Sequence, residues 1–482
     1  MQRPNILILY TDQQRWDAIG VNGNDEIHTP NLDRLANEGV NFDHYFVQNP
    51  VCMPSRLSFL TGRYPSTAGV THMGVPVPED TVTLPRLLAP YGYHSANIGK
   101  LHFQPHANRD HRNQYPSYGF DQLEISDEPG VYEDAYRAWV KRIDPSQLAY
   151  LSAGLPPATA VWYKTMRVDD TVPHPLPNSD AREGHSGRFD FKDAHAFPGE
   201  DRFTHTSFVA ERTIDYIQQQ AKSSGPFLCI SGFYSPHSPW VAPQRFLDMY
   251  NEDEMTLPEF PPEVEEKRTQ LGDKFDDAQL RTARKGYYAM VSEVDFHVGR
   301  ILDTLDDLGL TENTIVIFTS DHGEWLGEHL RWGKGYPAHD VVSRVPLLVR
   351  WPEMTKDAGR TVSNIVEGVD VVPTLMECAG IQIPPHLQGE SFYSTLINDD
   401  TERTKSAALT EHTGWKVLRT ETHRYIVHDD GREFLYDLQQ PLGEYHDVAG
   451  EVGYADDLSR HRHLLLQRLI GMERPKQRAW TY

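Results

Sequence analysis

Residues 52–63 read CMPSRLSFLTGR, and one of only three cysteines in the chain opens this stretch. Pro54 suits the first turn of a helix, and SRLSFLTG can continue that helix to Gly62. Cys52 would then lie at a helix N-terminus, where the helix dipole favours an anion. The residues alone leave two interpretations open, namely a small buried core residue and an activated thiolate nucleophile.

Apolar runs of strand length alternate with helical patterns around this stretch, which predicts an α/β fold with a mainly parallel central sheet between helices. The helical patterns include TPNLDRLANEG (29–39), with Thr29 as the N-cap, and a long segment over 277–308. The predicted buried strands are NILILY (5–10), SANIG (95–99), PFLCIS (226–231), TIVIF (314–318) and VPLLV (345–349).

Three of these strands run directly into polar residues. The pairs are Asp12 with Gln13, Lys100 with His102, and Asp321 with His322. Ligands of open parallel sheets bind beyond the carboxyl ends of the strands, so these side chains are expected to meet at one edge. Asp12, Gln13, Asp321 and His322 would offer a divalent cation three oxygen-type ligands and one nitrogen. The alternative for each aspartate alone is an ordinary helix cap.

The opening stretch resembles the signature of the type I sulfatases, C-x-P-S-R-x-x-x-L-T-G-R. The matching residues are Cys52, Pro54, Ser55, Arg56, Leu60, Thr61, Gly62 and Arg63. In that family a formylglycine-generating enzyme oxidises the cysteine to formylglycine, and the fold is alkaline-phosphatase-like. The resemblance therefore implies that Cys52 is the precursor of an aldehyde and does not act as a thiol.

Further motifs resemble the same family along most of the chain. GKLHF resembles its G-K-x-H and contains Lys100 and His102, SPHSPW contains His237, and WGKG contains Lys334. The segment FLYDLQQPLGEYHDVAG (434–450) resembles the closing segment of the family.

The resemblance implies a covalent mechanism of sulfate ester hydrolysis. One hydroxyl of the hydrated aldehyde attacks sulfur and the alcohol leaves; the second hydroxyl then loses its proton, and sulfate departs. In the implied roles Arg56 steadies the diol, while Lys100 and Lys334 neutralise charge on the transferring group. His102 is the base and His237 the acid.

The metal ligands implied are Asp12, Gln13, Asp321, His322 and the modified Cys52. Many family members have Asp-Asp in place of Asp12-Gln13 and Asp-Asn in place of Asp321-His322. Calcium is the expected ion because the family uses it, and manganese is its rival because an imidazole suits first-row metals. Because related phosphonate monoester hydrolases and choline sulfatases share these ligands, the ligands do not identify the substrate.

The expected activity is hydrolysis of a sulfate monoester on a small molecule or a carbohydrate. The nearest alternative is a formylglycine-dependent phosphonate monoester or phosphodiester hydrolase, although such relatives often lack the pair formed by Lys100 and His102. A binding protein without activity and a phosphatase that uses Ser55 directly are further alternatives. We expect Cys229 and Cys378 to be structural, because both lie in apolar patterns.

The composition of the chain bears on its partners and on its location. The chain has 482 residues and a formal net charge of -23, which argues against a nucleic-acid partner. No apolar run approaches the roughly 20 residues of a membrane span. Three scattered cysteines and no visible signal peptide favour a cytoplasmic location, although a trimmed leader stays an alternative.

The predicted domains are a catalytic domain over residues 1–400 and a C-terminal antiparallel-sheet and helix subdomain over 401–482. A polar segment over about 104–205 is interpreted as a surface insertion. It would determine specificity or form a contact between identical subunits, through Arg109, His111, Arg112 and Tyr115. Trp325 and Trp332 are candidates for stacking on a sugar ring, or are core residues.

Overall fold

The structure, a computed structural model, describes residues 3–105, 115–129, 134–151, 192–398 and 405–473. Its largest sheet forms around a strand that follows the N-terminus and is buried at every position. The strands are β1 Asn5–Thr11, β2 Val40–Phe42, β3 Tyr45–Phe46, β4 His94–Gly99, β5 Gln122–Ile125, β6 Ala194–Ala196, β7 Phe227–Gly232, β8 Trp240–Ala242, β9 Thr314–Ser320, β10 Leu347–Arg350, β11 Arg360–Val362, β12 Val366–Glu367, β13 Ala407–His412, β14 Trp415–Thr420, β15 His423–His428 and β16 Glu433–Asp437.

The large sheet has the strand order β11-β2-β10-β9-β1-β7-β4-β5. Strand β1 pairs in parallel with both β7 and β9, and β4 pairs in parallel with β5 and β7. Strand β10 runs antiparallel to its two neighbours, so it is the reversed strand among those described in this sheet. The sheet is therefore mainly parallel, which confirms the predicted fold class.

Helices cover both faces of the sheet. They are α1 Pro30–Asn37, α2 Cys52–Thr61, α3 Pro65–Ala68, α4 Leu84–Leu88, α5 Ala135–Ile143, α6 His205–Gln220, α7 Gln244–Leu247, α8 Pro262–Leu271, α9 Asp277–Asp307, α10 Asp340–Ser343, α11 Val371–Cys378, α12 Tyr393–Ile397 and α13 Ala455–Met472. Alternate side chains of β1 enter two different cores: Ile6 and Ile8 pack with residues of α2 and α11, whereas Leu7 and Leu9 pack with residues of α1, α6 and α9. This two-sided burial explains why the strand sequence is continuously apolar.

Part of the predicted surface insertion belongs to the large sheet. Residues Gln122–Ile125 form its edge strand β5, paired with β4, so the interpretation of 104–205 as one surface insertion is wrong at this point. Only Ile125 of the four is buried, because an edge strand needs few apolar residues. Arg109, His111 and Arg112 lie outside the described residues. Tyr115 packs against the core instead.

The C-terminal part follows the predicted pattern. Strands β13 to β16 form an antiparallel meander, and α13 packs against it through Leu458 and Leu465. No helix in the described ranges has the length and apolarity needed to cross a membrane. The proposed boundary near residue 400 between the two parts stays a prediction.

Candidate active site

Four neighbouring strands of the large sheet deliver the predicted site residues to one edge. In the order β9, β1, β7 and β4, their carboxyl ends lead into Asp321, Asp12, His237 and Lys100. The parallel pairing of these strands thus brings together loops that lie far apart in sequence.

A pair of glycines sets the position of Lys100. Gly99 has φ +86°, and a Cβ at this residue would lie 2.2 Å from the carbonyl oxygen of Gly232. A Cβ on Gly232 would in turn lie 2.1 Å from the carbonyl oxygen of Lys100. The backbone N–H of Lys100 donates to the Gly232 oxygen at 2.7 Å. Only glycines permit this close approach of the two strand ends.

The helix α2 places Cys52 at the centre of the site. Cys52 is the first residue of α2, and all ten residues of the helix are buried. Its Sγ lies 2.7 Å from Lys334 Nζ and 3.2 Å from His322 Nε2. The two carboxylate oxygens of Asp12 are 3.8 and 3.9 Å from the same sulfur.

The predicted cation ligands surround Cys52. Asp12, Cys52, Asp321 and His322 are all buried, and each offers a ligand atom within 4.8 Å of the others. The ring of His322 is oriented by the Gly323 carbonyl, 2.9 Å from Nδ1. Nδ1 therefore carries the proton, and the lone pair of Nε2 faces Asp12 Oδ1 at 3.4 Å.

Gln13 fits the same ligand set. Its side-chain oxygen Oε1 is buried and has no hydrogen-bond partner among the described residues. A bound cation would satisfy this oxygen. With two carboxylates, one amide oxygen and one imidazole nitrogen, the donors fit a divalent cation.

Buried cations compensate the two carboxylates. Lys100 Nζ lies 2.5 Å from Asp12 Oδ2, and Arg56 Nε donates to Asp321 Oδ2 at 2.7 Å. Arg56 also donates to the Lys100 carbonyl at 3.0 Å. Arg56 therefore connects the α2 helix to two of the strand ends.

His237 and His102 complete the predicted set. His237 Nε2 lies 3.1 Å from Lys334 Nζ, and its Nδ1 is 2.6 Å from the Ser238 carbonyl. The imidazole thus donates from Nδ1 and accepts from Lys334 at Nε2. His102 is 1% exposed, has a left-handed backbone at φ 56°, and donates its backbone N–H to Asp127 Oδ1 at 2.9 Å.

The electrostatics argue against a thiolate at position 52. Burial, with Asp12 as the next cause, raises the pKa of the Cys52 thiol to about 12, so an unmodified thiol would be protonated at neutral pH. Burial also acts to raise the pKa of Asp12, but Lys100, His237 and Lys334 outweigh it and hold this pKa well below its usual range. Burial, followed by Lys334, lowers the pKa of His237 to about 4.

Two residues that contact the predicted site residues were not predicted from the sequence. Glu324 accepts a hydrogen bond from Gln13 Nε2, while its Oε1 accepts from the backbone N–H groups of Leu326 and Gly333 at 3.1 and 2.5 Å. It thereby fixes the Gln13 amide and the start of the loop that carries Lys334. Tyr234 lies under Lys100, with Nζ 4.9 Å from the ring centroid. Glu324 directly follows the Asp321-His322-Gly323 run, a signal that could have identified it.

The two tryptophans suggested as sugar contacts pack against other side chains of the protein. Trp325 is 1% exposed and packs against Val341 and Val342, so it is a core residue and does not stack on a ligand. Trp332 stacks on Phe275, with ring centroids 5.4 Å apart.

Three further residues carry potentially nucleophilic groups, and all three are buried. Ser55 Oγ donates to the Asp321 carbonyl at 2.5 Å, which argues against a direct serine nucleophile. Cys229 and Cys378 are buried, as expected for structural residues.

The matches of this chain to known protein families agree with the geometry of the candidate site. The sequence profile of the family named Sulfatase matches residues 4–381. This chain belongs to the sulfatase family. A second profile, N-sulphoglucosamine sulphohydrolase, C-terminal, matches residues 327–469. The sulfatase prediction is confirmed, and the chain is an enzyme of the sulfuric ester hydrolase class.

One sequence relative and two proteins of similar fold are compared with this chain. An ulvan-active sulfatase of Formosa agariphila is 28% identical over 90% of this chain and 75% of its own length. The phosphonate monoester hydrolase of Agrobacterium radiobacter has the same fold, with a TM-score of 0.78 and 23% identity over 98% of this chain and 96% of its own. A protein solved with its substrate D-glucosamine-2-N,6-O-disulfate superposes with a TM-score of 0.75 and 22% identity over 99% and 100%.

Proposed function

We propose that this sulfatase hydrolyses a sulfate monoester of a sugar, aryl or alkyl alcohol, using formylglycine made from Cys52 and one divalent cation. The position of Cys52 carries the proposal. Its side chain lies between the predicted cation ligand His322, with Nε2 at 3.2 Å, and the ammonium group of Lys334, with Nζ at 2.7 Å. A nucleophile at this position would face the predicted cation ligands and the ammonium group of Lys334.

The proposal assigns chemistry to a formylglycine at position 52 and to a bound divalent cation. A hydrated aldehyde at position 52 provides one hydroxyl to attack sulfur and a second whose deprotonation re-forms the carbonyl and releases sulfate. A divalent cation held at this site would supply Lewis-acid chemistry that favours ionisation of a hydroxyl at position 52. Asp12, Gln13, Asp321 and His322 would hold this cation, together with the modified residue 52. Calcium is the first candidate and manganese the second.

The cationic side chains are proposed to bind the sulfate group and to orient the residues around it. Lys100 and Lys334 are placed to neutralise negative charge on the transferring sulfate. The donors of Arg56 are directed at Asp321 and at the Lys100 carbonyl. Its proposed contribution is therefore to hold these two residues, and through them the diol, in place.

The proposed proton transfers involve His237, which acts together with Lys334, and His102. The Nε2 atom of His237 accepts from Lys334, and burial together with Lys334 lowers the His237 pKa to about 4. The imidazole is therefore neutral at neutral pH, and the proton for the leaving oxygen would come from the pair Lys334–His237. His102 is proposed as the base that deprotonates the second hydroxyl.

A comparison of leaving-group esters tests the proposal. The mature, metal-loaded enzyme is assayed with 4-nitrophenyl sulfate and with the 4-nitrophenyl monoester of phenylphosphonate. We expect kcat/KM to favour the sulfate by at least about 100-fold, because the site presents the Lys100 and His102 pair. A preference for the phosphonate would instead identify a phosphonate monoester hydrolase. Reconstitution of metal-depleted enzyme with calcium or manganese in the same assay determines the preferred ion.

A further inference from the structure

An aromatic surface lies beside the active-site loop that carries Lys334. We define this aromatic surface by Tyr336, His412, Trp415 and His428. The rings of His412 and Trp415 are nearly parallel, with centroids 5.4 Å apart and an angle of 5°. Tyr336 makes edge contacts with Trp415 at 5.5 Å and with His428 at 5.0 Å. The four rings therefore form one continuous patch from two distant parts of the chain.

The rings are only partly covered by protein. All four residues are intermediate in exposure. Tyr336 and Trp415 pack on a small core of Ala338, Val417 and Ile426. The contact with this core fixes the patch, while part of each residue stays accessible to a ligand.

Two connections link the aromatic surface to segments of the active site. Tyr336 follows Lys334 by two residues, so their Cα atoms are at most about 7 Å apart. On the other side, Asn49 Nδ2 donates to the carbonyl of Glu411 at 2.6 Å. Asn49 precedes Cys52 by three residues, and Glu411 directly precedes His412. The rings are thus carried by segments that connect directly to the loop of Lys334 and to the residues that precede Cys52.

Polar groups of Thr71 and His72 lie next to Thr413, at the tip of the hairpin formed by β13 and β14. Thr71 Oγ1 and Thr413 Oγ1 are 2.7 Å apart, and the Nδ1 atom of His72 is 3.1 Å from Thr413 Oγ1. A pyranose has an apolar C–H face and a hydroxyl-bearing edge, so it needs an aromatic face with a few polar groups beside it. The hairpin offers this combination.

We propose that the aromatic surface is a subsite for a sugar ring attached to the sulfated unit, with Trp415 as its main contact. The inference rests on the proposed function and narrows it, because it makes the substrate a sulfated saccharide of two or more units. The stacking partner is then Trp415 in the C-terminal sheet, in place of the Trp325 and Trp332 suggested by sequence.

The test compares substrates with and without a second ring. Wild type and Trp415→Ala are assayed with 4-nitrophenyl sulfate and with sulfated disaccharides prepared from heparan sulfate, chondroitin sulfate and ulvan. We expect Trp415→Ala to raise KM for the accepted disaccharide about tenfold, with kcat little changed, because one aromatic contact is lost. Turnover of 4-nitrophenyl sulfate should stay within about twofold of wild type. Trp415→Tyr should restore most of the disaccharide affinity.

Matched controls distinguish a sugar subsite from a structural surface or a subunit interface. Phe296→Ala removes an aromatic side chain that is 39% exposed on α9, and it should leave both substrates unaffected. Equal losses on both substrates, or a change of oligomeric state in Trp415→Ala, would overturn the subsite, since the surface would then be structural or an interface. If wild type cleaves 4-nitrophenyl sulfate but no disaccharide, the subsite is refuted and the proposed function stands. If wild type cleaves neither, the proposed function itself fails.

Discussion

Replacement of Cys52 by alanine is expected to reduce turnover of 4-nitrophenyl sulfate by at least about 10³-fold, because it removes the nucleophile. The variant should keep its fold, since alanine fits a helix start and the surrounding ion pairs do not depend on the sulfur. Metal binding should persist through Asp12, Gln13, Asp321 and His322. Initial rates, circular dichroism and elemental analysis measure these three properties.

The matched control is Cys229→Ala, which removes an equally buried thiol from β7. It should cost on the order of 1 kcal/mol of stability and spare turnover per folded molecule. Mass spectrometry of the tryptic peptide 35–56 from active wild type should show the aldehyde or its hydrate. Full activity in a sample that contains only the thiol would refute the mechanism.

Asp12→Asn is expected to have the second large effect, because Asp12 faces both the cation position and Lys100. The neutral amide should weaken metal binding by more than about 100-fold and lower activity by about 10³-fold. In the metal-free protein it also leaves Lys100 without its partner at 2.5 Å. Breaking such a buried pair costs about 3 kcal/mol. Calorimetric metal titration and urea unfolding measure the two effects separately.

Asp295→Asn provides the comparison for Asp12→Asn. Asp295 is 2% exposed and accepts from the backbone N–H groups of Asn31 and Leu32 at 3.0 and 2.8 Å. Its replacement should lower stability without changing metal affinity. Unchanged metal affinity in Asp12→Asn would remove Asp12 from the ligand set and require a different cation position.

The strands were predictable because a doubly covered parallel strand is apolar at every position. The same property made their polar ends conspicuous, so that Asp12, Lys100 and Asp321 stood out in the sequence alone. The direction of β10 was not predictable, since VPLLV has the same apolar pattern whether the strand runs parallel or antiparallel. Strand β5 was missed because its sequence QLEI is half polar, as an edge position allows.

Contacts between residues far apart in sequence could not be predicted from local pattern. Glu324 supports Gln13 across 311 residues of sequence, and no spacing rule connects the two. Trp415 lies in an ordinary β-hairpin pattern, which gives no sign of a ligand contact. Trp325 was suggested as a sugar contact because it lies close in sequence to the predicted metal ligands. Proximity in sequence grouped the predicted ligands on each loop, but it also singled out Trp325, which packs in the core.

If Cys52 is converted to formylglycine as proposed, the complete burial of α2 requires that this conversion precede folding. In the folded chain Cys52 is 0% exposed, so another protein that oxidises its side chain has to act while residues 52–63 are still accessible. In the proposed maturation, oxidation of Cys52 would compete in time with folding, and the fraction of active molecules would be set by which step is faster. Chain refolded from denaturant with an intact thiol should therefore stay inactive when the maturing enzyme is added afterwards. The same enzyme supplied during synthesis should yield active molecules; recovery of activity by late addition would show that α2 opens in the native state.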